Sequence, residues 1–285
     1  MNYRHAFHAG SFADVHKHAL LIGLLRLLQK KETPLCYFDT HAGQGFYDLS
    51  RSPAQRTLEF RSGIGPLMKA ARVNHPWLED LLQAVRDLRK AQGNVELYPG
   101  SPALAYALQR PQDRSVLMEL HPEDVATLKT WAHRRAHVEV HWRDAYEGIP
   151  ALVPPREHRG LVLIDPPYEE ERDDWKSLQS LLQAVIRRWP IGVFALWYPI
   201  KQQSQVDRFI KTMLQRGMPG FVTCELSIQP TDTPLGLNGS GMMVFNPPWT
   251  FADEAARCQQ ELWSRLSPDG RGRHQVRHWQ PSNPD

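Results

Sequence analysis

"RGLVLIDPPYEEER", Arg159 to Arg172, runs an apolar stretch straight into an acid, two prolines and a tyrosine. A short apolar run bounded by turn formers reads as a strand buried on both faces. The question it poses is why Asp165 sits where that strand stops.

The neighbouring segments repeat the pattern. "PLCYFD" (34–39), "SVLMEL" (115–120) and "AHVEVHW" (136–142) are short strands, and "IGVFALWYP" (191–199) leads into a helix, "QQSQVDRFIKTMLQRG" (202–217). "DVHKHALLIGLLRLLQKK" (14–31) opens on an acid, is apolar on most faces and ends in lysines, so it reads as a buried helix. In "ELYPGSPALAYAL" (96–108), Ser101 suits an N-cap and Pro102 the first helical position. "FVTCELSIQP" (221–230) and "GMMVFNPPW" (241–249) are joined by a loop too short for a crossover helix, which makes them antiparallel neighbours.

Between residues 51 and 94 the character changes. "HPWLEDLLQAVRDLRKAQGN" (75–94) places Leu78, Leu81, Leu82, Val85 and Leu88 at helical spacing and stops at Gly93-Asn94. The predicted fold is α/β: a Rossmann-like, doubly wound sheet of seven strands, mainly parallel with one antiparallel strand. A main domain of residues 1–50 and 95–285 carries a small helical subdomain inserted over 51–94. The polar tail "SPDGRGRHQVRHWQPSNPD" (267–285) reads as loose.

Composition narrows the class. With 285 residues, 41% hydrophobic and 23% charged, the chain reads as globular, and a net charge of +3 permits a polyanionic partner without demanding one. Cys36, Cys224 and Cys258 are scattered and odd in number, so neither a disulfide framework nor a zinc knuckle is indicated. The start "MNYRHAFHAG" lacks an apolar signal core, and "ALLIGLL" and "IGVFALWYPI" are too short to span a bilayer. A cytoplasmic protein with no membrane contact is expected.

In a doubly wound sheet, ligands bind beyond the carboxyl ends of the strands. Asp39 ends the first strand and leads into "HAGQG", either a plain glycine turn or one that lets backbone N–H groups approach a ligand. Glu119 ends the next, as a helix-capping acid or as an acceptor for both ribose hydroxyls. Asp144 follows the third and suits an exocyclic adenine amine. Three acids at three strand ends describe a nucleoside cofactor lying across the sheet. Asp165 ends the fourth, and Pro166 and Pro167 lack N–H groups, so the loop offers acceptors and no donors. That arrangement suits an aromatic amine: the carboxylate and the Pro166 carbonyl each take one N–H, while Tyr168 offers a ring face.

A second run, "NPPW" (246–249), also ends a strand, but an antiparallel one, whose end lies on the opposite edge. The N-terminal cluster of Tyr3, His5, His8, His16, Lys17 and His18 lacks the companion ligands a metal needs. It reads as an arm, residues 1–14, folded over the active site, with Arg4 and Lys17 available to phosphates. No metal is expected.

The stretches "YRHAFHAGSFADVHKH", "DTHAGQGFYDL", "YPGSP", "MELHP", "LIDPPYE", "ALWYP" and "GSGMMVFNPPW" occur in the order and near the spacing of the RlmJ family, which the chain resembles over nearly its whole length. The resemblance implies a class I S-adenosyl-L-methionine-dependent enzyme that methylates adenine N6 in 23S ribosomal RNA, releasing S-adenosylhomocysteine. It implies His18, His41 and Ser101 at the methionine end of the cofactor, Glu119 at the ribose, and Asp144 with Ala145 at the adenine, with Asp39 and Asp165 alongside. Family members often carry glycine where this chain has Ala145. Asp165, with Pro166 and Tyr168, would be catalytic, assisted by Tyr3, His5 and Lys17; Tyr3, Arg4 and Tyr168 would meet the substrate. A monomer is expected. The rival readings are methylation of a DNA adenine or another exocyclic amine, and a silent RNA-binding assembly factor. A Rossmann oxidoreductase is disfavoured because "HAGQG" lacks the G-x-G-x-x-G spacing.

Overall fold

The computed structural model describes residues 4–168, 171–230, 233, 236–267 and 269–281. In chain order the first half holds α1 (Phe12–Leu28), β1 (Cys36–Asp39), β2 (Phe46–Asp48), α2 (Ser52–Thr57), α3 (Ile64–Lys69), α4 (Pro76–Gln92), β3 (Leu97–Pro99), α5 (Ser101–Leu108), β4 (Arg114–Glu119) and α6 (Pro122–Ala132). The second half holds β5 (Val138–Trp142), α7 (Ala145–Leu152), β6 (Gly160–Ile164), α8 (Glu171–Arg188), β7 (Val193–Ile200), α9 (Gln203–Gln215), β8 (Phe221–Ser227), β9 (Gly239–Phe245), α10 (Phe251–Leu266) and β10 (Arg273–Trp279).

Successive side chains of a strand face opposite ways, so a strand between two helical layers must be apolar throughout. β6 obeys this: Leu161 and Leu163 join the core beneath α1, α4, α5 and α10, whereas Val162 and Ile164 join the core beneath α7, α8 and α9. The strand order is β10-β8-β9-β7-β6-β1-β4-β5. β5, β4, β1, β6 and β7 run parallel; β9 is antiparallel to both β7 and β8, and β10 is antiparallel to β8. The doubly wound sheet is therefore present with eight strands rather than seven and two antiparallel strands rather than one. A separate antiparallel pair, β2 with β3, lies outside it.

The eighth strand comes from the tail expected to be loose. β10 covers the edge at β8, and an edge strand that is half-buried or exposed along its whole length can be polar, so its composition resembles that of a loop. Trp279 fixes its end: Nε1 donates to Thr223 Oγ1 at 2.9 Å and the ring stacks on Phe221.

Two helix starts also differ from expectation. α1 begins at Phe12 because Ser11 is the N-cap, its hydroxyl accepting the Asp14 N–H at 3.3 Å, so Asp14 sits inside the first turn. α5 is capped by Gly100, which makes Ser101 its first residue and frees that side chain for the ligand edge. Within 51–94, α4 buries Trp77, Leu78, Leu81, Leu82 and Val85 in the same core as α1. The indole of Trp77 lies so close to Gly23 that a Cβ there would stand 2.4 Å from the ring.

Trp279→Ala loses a partly buried aromatic contact and a hydrogen bond and is expected to lower stability by about 2 kcal/mol in urea denaturation. An unchanged denaturation midpoint would contradict the role of β10 as the sheet's edge.

Candidate active site

The strand order sets the site. β6, β1, β4 and β5 are successive neighbours, so Asp165, Asp39, Glu119 and Asp144 are brought to one edge in that order. A cleft with about 1060 Å³ of empty space, partly open to solvent, runs along this edge. It is lined by His5, Lys17, His18, His41, Ser101, Glu119, Asp144, Ala145, Asp165 and Pro166, all of them expected site residues.

The turn after β1 carries Gly43 at φ +63 and Gly45 at φ +83, a left-handed backbone that glycine adopts without strain. It aims the Gly43 N–H at Glu119 Oε2, 2.8 Å away, while Glu119 Oε1 takes the His121 N–H at 2.7 Å. Burial raises the Glu119 pKa, and those N–H groups partly offset the shift. Each oxygen keeps a lone pair for a further donor. Asp144 caps α7 by accepting the Tyr146 N–H at 2.8 Å, and Ala145 behind it is buried.

On the other wall, α1 presents Lys17 and His18, both buried. Lys17 Nζ lies 2.6 Å from Asp165 Oδ2 and 3.0 Å from Asp14 Oδ1. Burial alone would lower its pKa, but Asp14 and Asp165 together hold it well above the ordinary value, so Lys17 is an ammonium. His18 Nδ1 pairs with Tyr98 Oη at 2.8 Å and His41 Nδ1 with Thr40 Oγ1 at 2.7 Å. Burial lowers these imidazoles to about 3 and about 4, so both are neutral at pH 7.

Three expected residues stand elsewhere. Asp39 is fully buried beneath the cleft floor, where it accepts the Tyr37 hydroxyl at 2.7 Å. Tyr168 adopts φ +52, which turns its ring into the core between Trp175 and Trp197; its hydroxyl donates to the Trp197 carbonyl at 2.7 Å. That ring is buried and outside the cleft lining, and the Trp197 ring beside it stands 5.7 Å from Lys17 Nζ. Arg4 is exposed and pairs with Glu123 on α6, outside the lining. Tyr3 lies outside the described residues.

The structure adds residues that motif reading passed over. Tyr47, Arg143, Tyr146 and Asp174 line the cleft, and Asp14 stands behind Lys17. Only Asp14 had a signal: Asp14 and Lys17 are three apart on one helix and so share a face. Among the described residues, no group of His, Cys, Asp and Glu could hold a metal ion, and no helix is long and apolar enough to cross a membrane. At the far edge, Asn246 is an exit turn, its Nδ2 donating to the Pro190 and Gly192 carbonyls.

A strand order of this kind, with acids at the ends of β6, β4 and β5 around one cleft, defines a Rossmann-like class I methyltransferase fold. The family model described as "Ribosomal RNA large subunit methyltransferase D, RlmJ" matches residues 32–280, and the chain belongs to that family. It is similar to ribosomal RNA large subunit methyltransferase J of Haemophilus influenzae, 37% identical over 95% of this chain and 96% of that one. The protein of the same name from Escherichia coli is 36% identical over 98% of each chain. A crystal structure of a Legionella pneumophila protein superposes with a TM-score of 0.86 at 31% identity, covering 97% of this chain and 99% of that one.

Burial raises the Asp39 carboxyl to about 6, with Ser101 and Tyr37 drawing it partway back. Between the ordinary carboxylate range and that value the folded chain holds a proton that the unfolded chain has released, so stability falls as pH rises through this window. Asp39→Asn removes the effect. Its stability relative to the native chain is expected to improve by on the order of 2 kcal/mol between pH 4 and pH 8. A difference that does not vary with pH, measured by urea denaturation at the two values, would show that Asp39 is ionised throughout.

Proposed function

We propose that the chain methylates the exocyclic N6 amine of an adenine in 23S ribosomal RNA, with S-adenosyl-L-methionine as donor. The observation that carries this reading is Asp165 followed by Pro166 and Pro167, lining one end of a cleft whose other end holds Glu119 and Asp144, in a chain of the RlmJ family. The name the relatives carry points to large-subunit RNA; the acceptor-only loop favours an amine.

The residues fit the donor. Glu119 keeps lone pairs on both oxygens for a ribose diol, and Asp144 with the Ala145 backbone suits the adenine. Neutral His18 and His41 can hydrogen-bond the methionine end without adding positive charge beside a sulfonium. When bound, the cofactor supplies an electrophilic methyl group.

The chain's own residues place the acceptor. Asp165 and the Pro166 carbonyl each accept one N–H of the amine, which keeps the nitrogen lone pair directed at the methyl and not into the ring. As nitrogen gains the methyl and becomes cationic, Asp165 faces the developing charge, and one amine proton leaves by way of that carboxylate. Such preorganised electrostatics and positioning supply the acceleration. His5, held from the arm, and Lys17 close the acceptor side. An adenine in a loop or frayed end reaches this pocket at lower cost than one in a duplex, where unstacking and unpairing cost a few kcal/mol.

An RNA partner also suits the charge distribution. Residues 51–72 carry five basic side chains, Arg51, Arg56, Arg61, Lys69 and Arg72, against the single acid Glu59. That segment is therefore +4 in a chain of net +3, which leaves everything else at −1. All five bases are exposed, and the segment is tied to the arm by the Ile64 N–H on the Gly10 carbonyl and by His8 on Glu59.

Asp165→Ala is expected to lower methyl transfer to large-subunit RNA by roughly 10²–10⁴-fold while S-adenosylhomocysteine still binds in calorimetry. Residual turnover close to that of the native chain would remove Asp165 from the central role. Replacing Arg56, Arg61, Lys69 and Arg72 by Ala should weaken RNA binding and reduce the slope of log affinity against log salt by about 3. An unchanged slope would place the phosphate contacts on another face.

A further inference from the structure

The geometry points to Asp14 as a positioning residue of the reaction, one that acts through Lys17 and His5 and sets the net charge facing the acceptor. The inference rests on the reading of Asp165 as the amine's acceptor. Asp14 is 3% exposed, and two of its carboxylate's three contacts are with residues that line the cleft. Oδ2 accepts the Gly10 N–H at 3.0 Å and meets His5 Nε2 at 2.9 Å; Oδ1 meets Lys17 Nζ at 3.0 Å.

The ordinary explanation of an acid in the first turn of a helix is a cap. Ser11 already caps α1 through the Asp14 N–H, in the spacing of a capping box. In that motif the acid returns to the N-cap's own N–H. Here it reaches past Ser11 to Gly10, and it also holds a lysine and a histidine that both line the cleft. A cap needs neither contact.

Charge gives the arrangement its purpose. Lys17 is 2.6 Å from Asp165, so as a pair they are neutral, and a neutral pair gives little stabilisation to an amine that turns cationic. Asp14 is the second carboxylate on the same ammonium. Although burial pushes its pKa up, His5 and Lys17 keep it well below the ordinary range, so it is ionised. With it, Asp14, Lys17 and Asp165 sum to −1, one unit more negative than the Lys17–Asp165 pair, whatever charge His5 carries. Lys17 is thereby shared, and Asp165 is left with unspent charge for the amine. The same carboxylate fixes His5, so one residue sets both the field and the position of the arm.

The test is a cycle of four proteins: native, Asp14→Asn, Lys17→Met and the double variant. Asparagine is isosteric and keeps an acceptor for the Gly10 N–H. Asp14→Asn leaves the group neutral, and kcat should fall on the order of 30-fold. KM for RNA and the affinity for S-adenosylhomocysteine, which also reports folding, should change little. Adding Lys17→Met to Asp14→Asn restores a net −1 on Asp165, so the double variant should turn over faster than Asp14→Asn alone. A residue that matters only for stability gives the opposite order, with the double variant at or below the slower single. That order, or an Asp14→Asn variant with native kcat, overturns the inference. The product made by the native protein judges the parent reading separately: label on a nucleoside other than N6-methyladenosine removes that reading, whereas the ranking of the four proteins still decides the role of Asp14.

Discussion

A buried ammonium ties the structure to its site. Lys17 on α1 reaches Asp165 at the end of β6 and Asp14 one turn back on its own helix, and neither the cation nor Asp14 has appreciable access to water. Desolvating such charges is costly, and leaving one of them unpaired inside is costlier still. α1 must therefore be held in one register against the sheet. Its neighbouring polar residues have the same requirement: His16 meets Ser240 on β9 at 2.9 Å, and His18 meets Tyr98 on β3 at 2.8 Å. A helix apolar enough to be a plain core element is instead pinned at three points by polar pairs, and those pairs place Lys17 and His18 in the cleft.

The charge pattern of the cleft follows from the sheet. Parallel strands bring their carboxyl ends to one edge, and three of those ends present acids to the ligand space. Burial keeps His18 and His41 neutral, and the lysine that lines the acceptor end is already shared between two carboxylates. The strongly basic surface lies outside the cleft lining, on residues 51–72, where its exposed side chains bring no positive charge to the cleft.

Much of this was legible in the sequence, for identifiable reasons. Buried parallel strands must be apolar on both faces, so "GLVLI" and "SVLME" announce themselves, and the acids that end them are conspicuous. β10 was hidden because an edge strand is half exposed; its polar residues resemble a tail, and only Trp279 hinted at packing. Strand-end position alone did not say which way a side chain turns. Asp39 ends β1 as Glu119 ends β4, yet the Tyr37 hydroxyl draws it below the floor, and a left-handed backbone at Tyr168 sends that ring into the core. Asp14 was read as a helix start because an acid there has a sufficient local explanation; its contact with Lys17 becomes significant only once β6 delivers Asp165 to the same ammonium.

On the proposed function, this cleft directs a methyl group to an adenine amine of large-subunit RNA. The measurement that tests it most directly is incubation of the native protein with isotopically labelled S-adenosyl-L-methionine and, separately, deproteinised 23S RNA, small-subunit RNA and duplex DNA, followed by digestion to nucleosides and mass spectrometry. Label is expected in N6-methyladenosine from 23S RNA alone. Label on another nucleoside, label confined to DNA, or no label in any acceptor despite cofactor binding would contradict it.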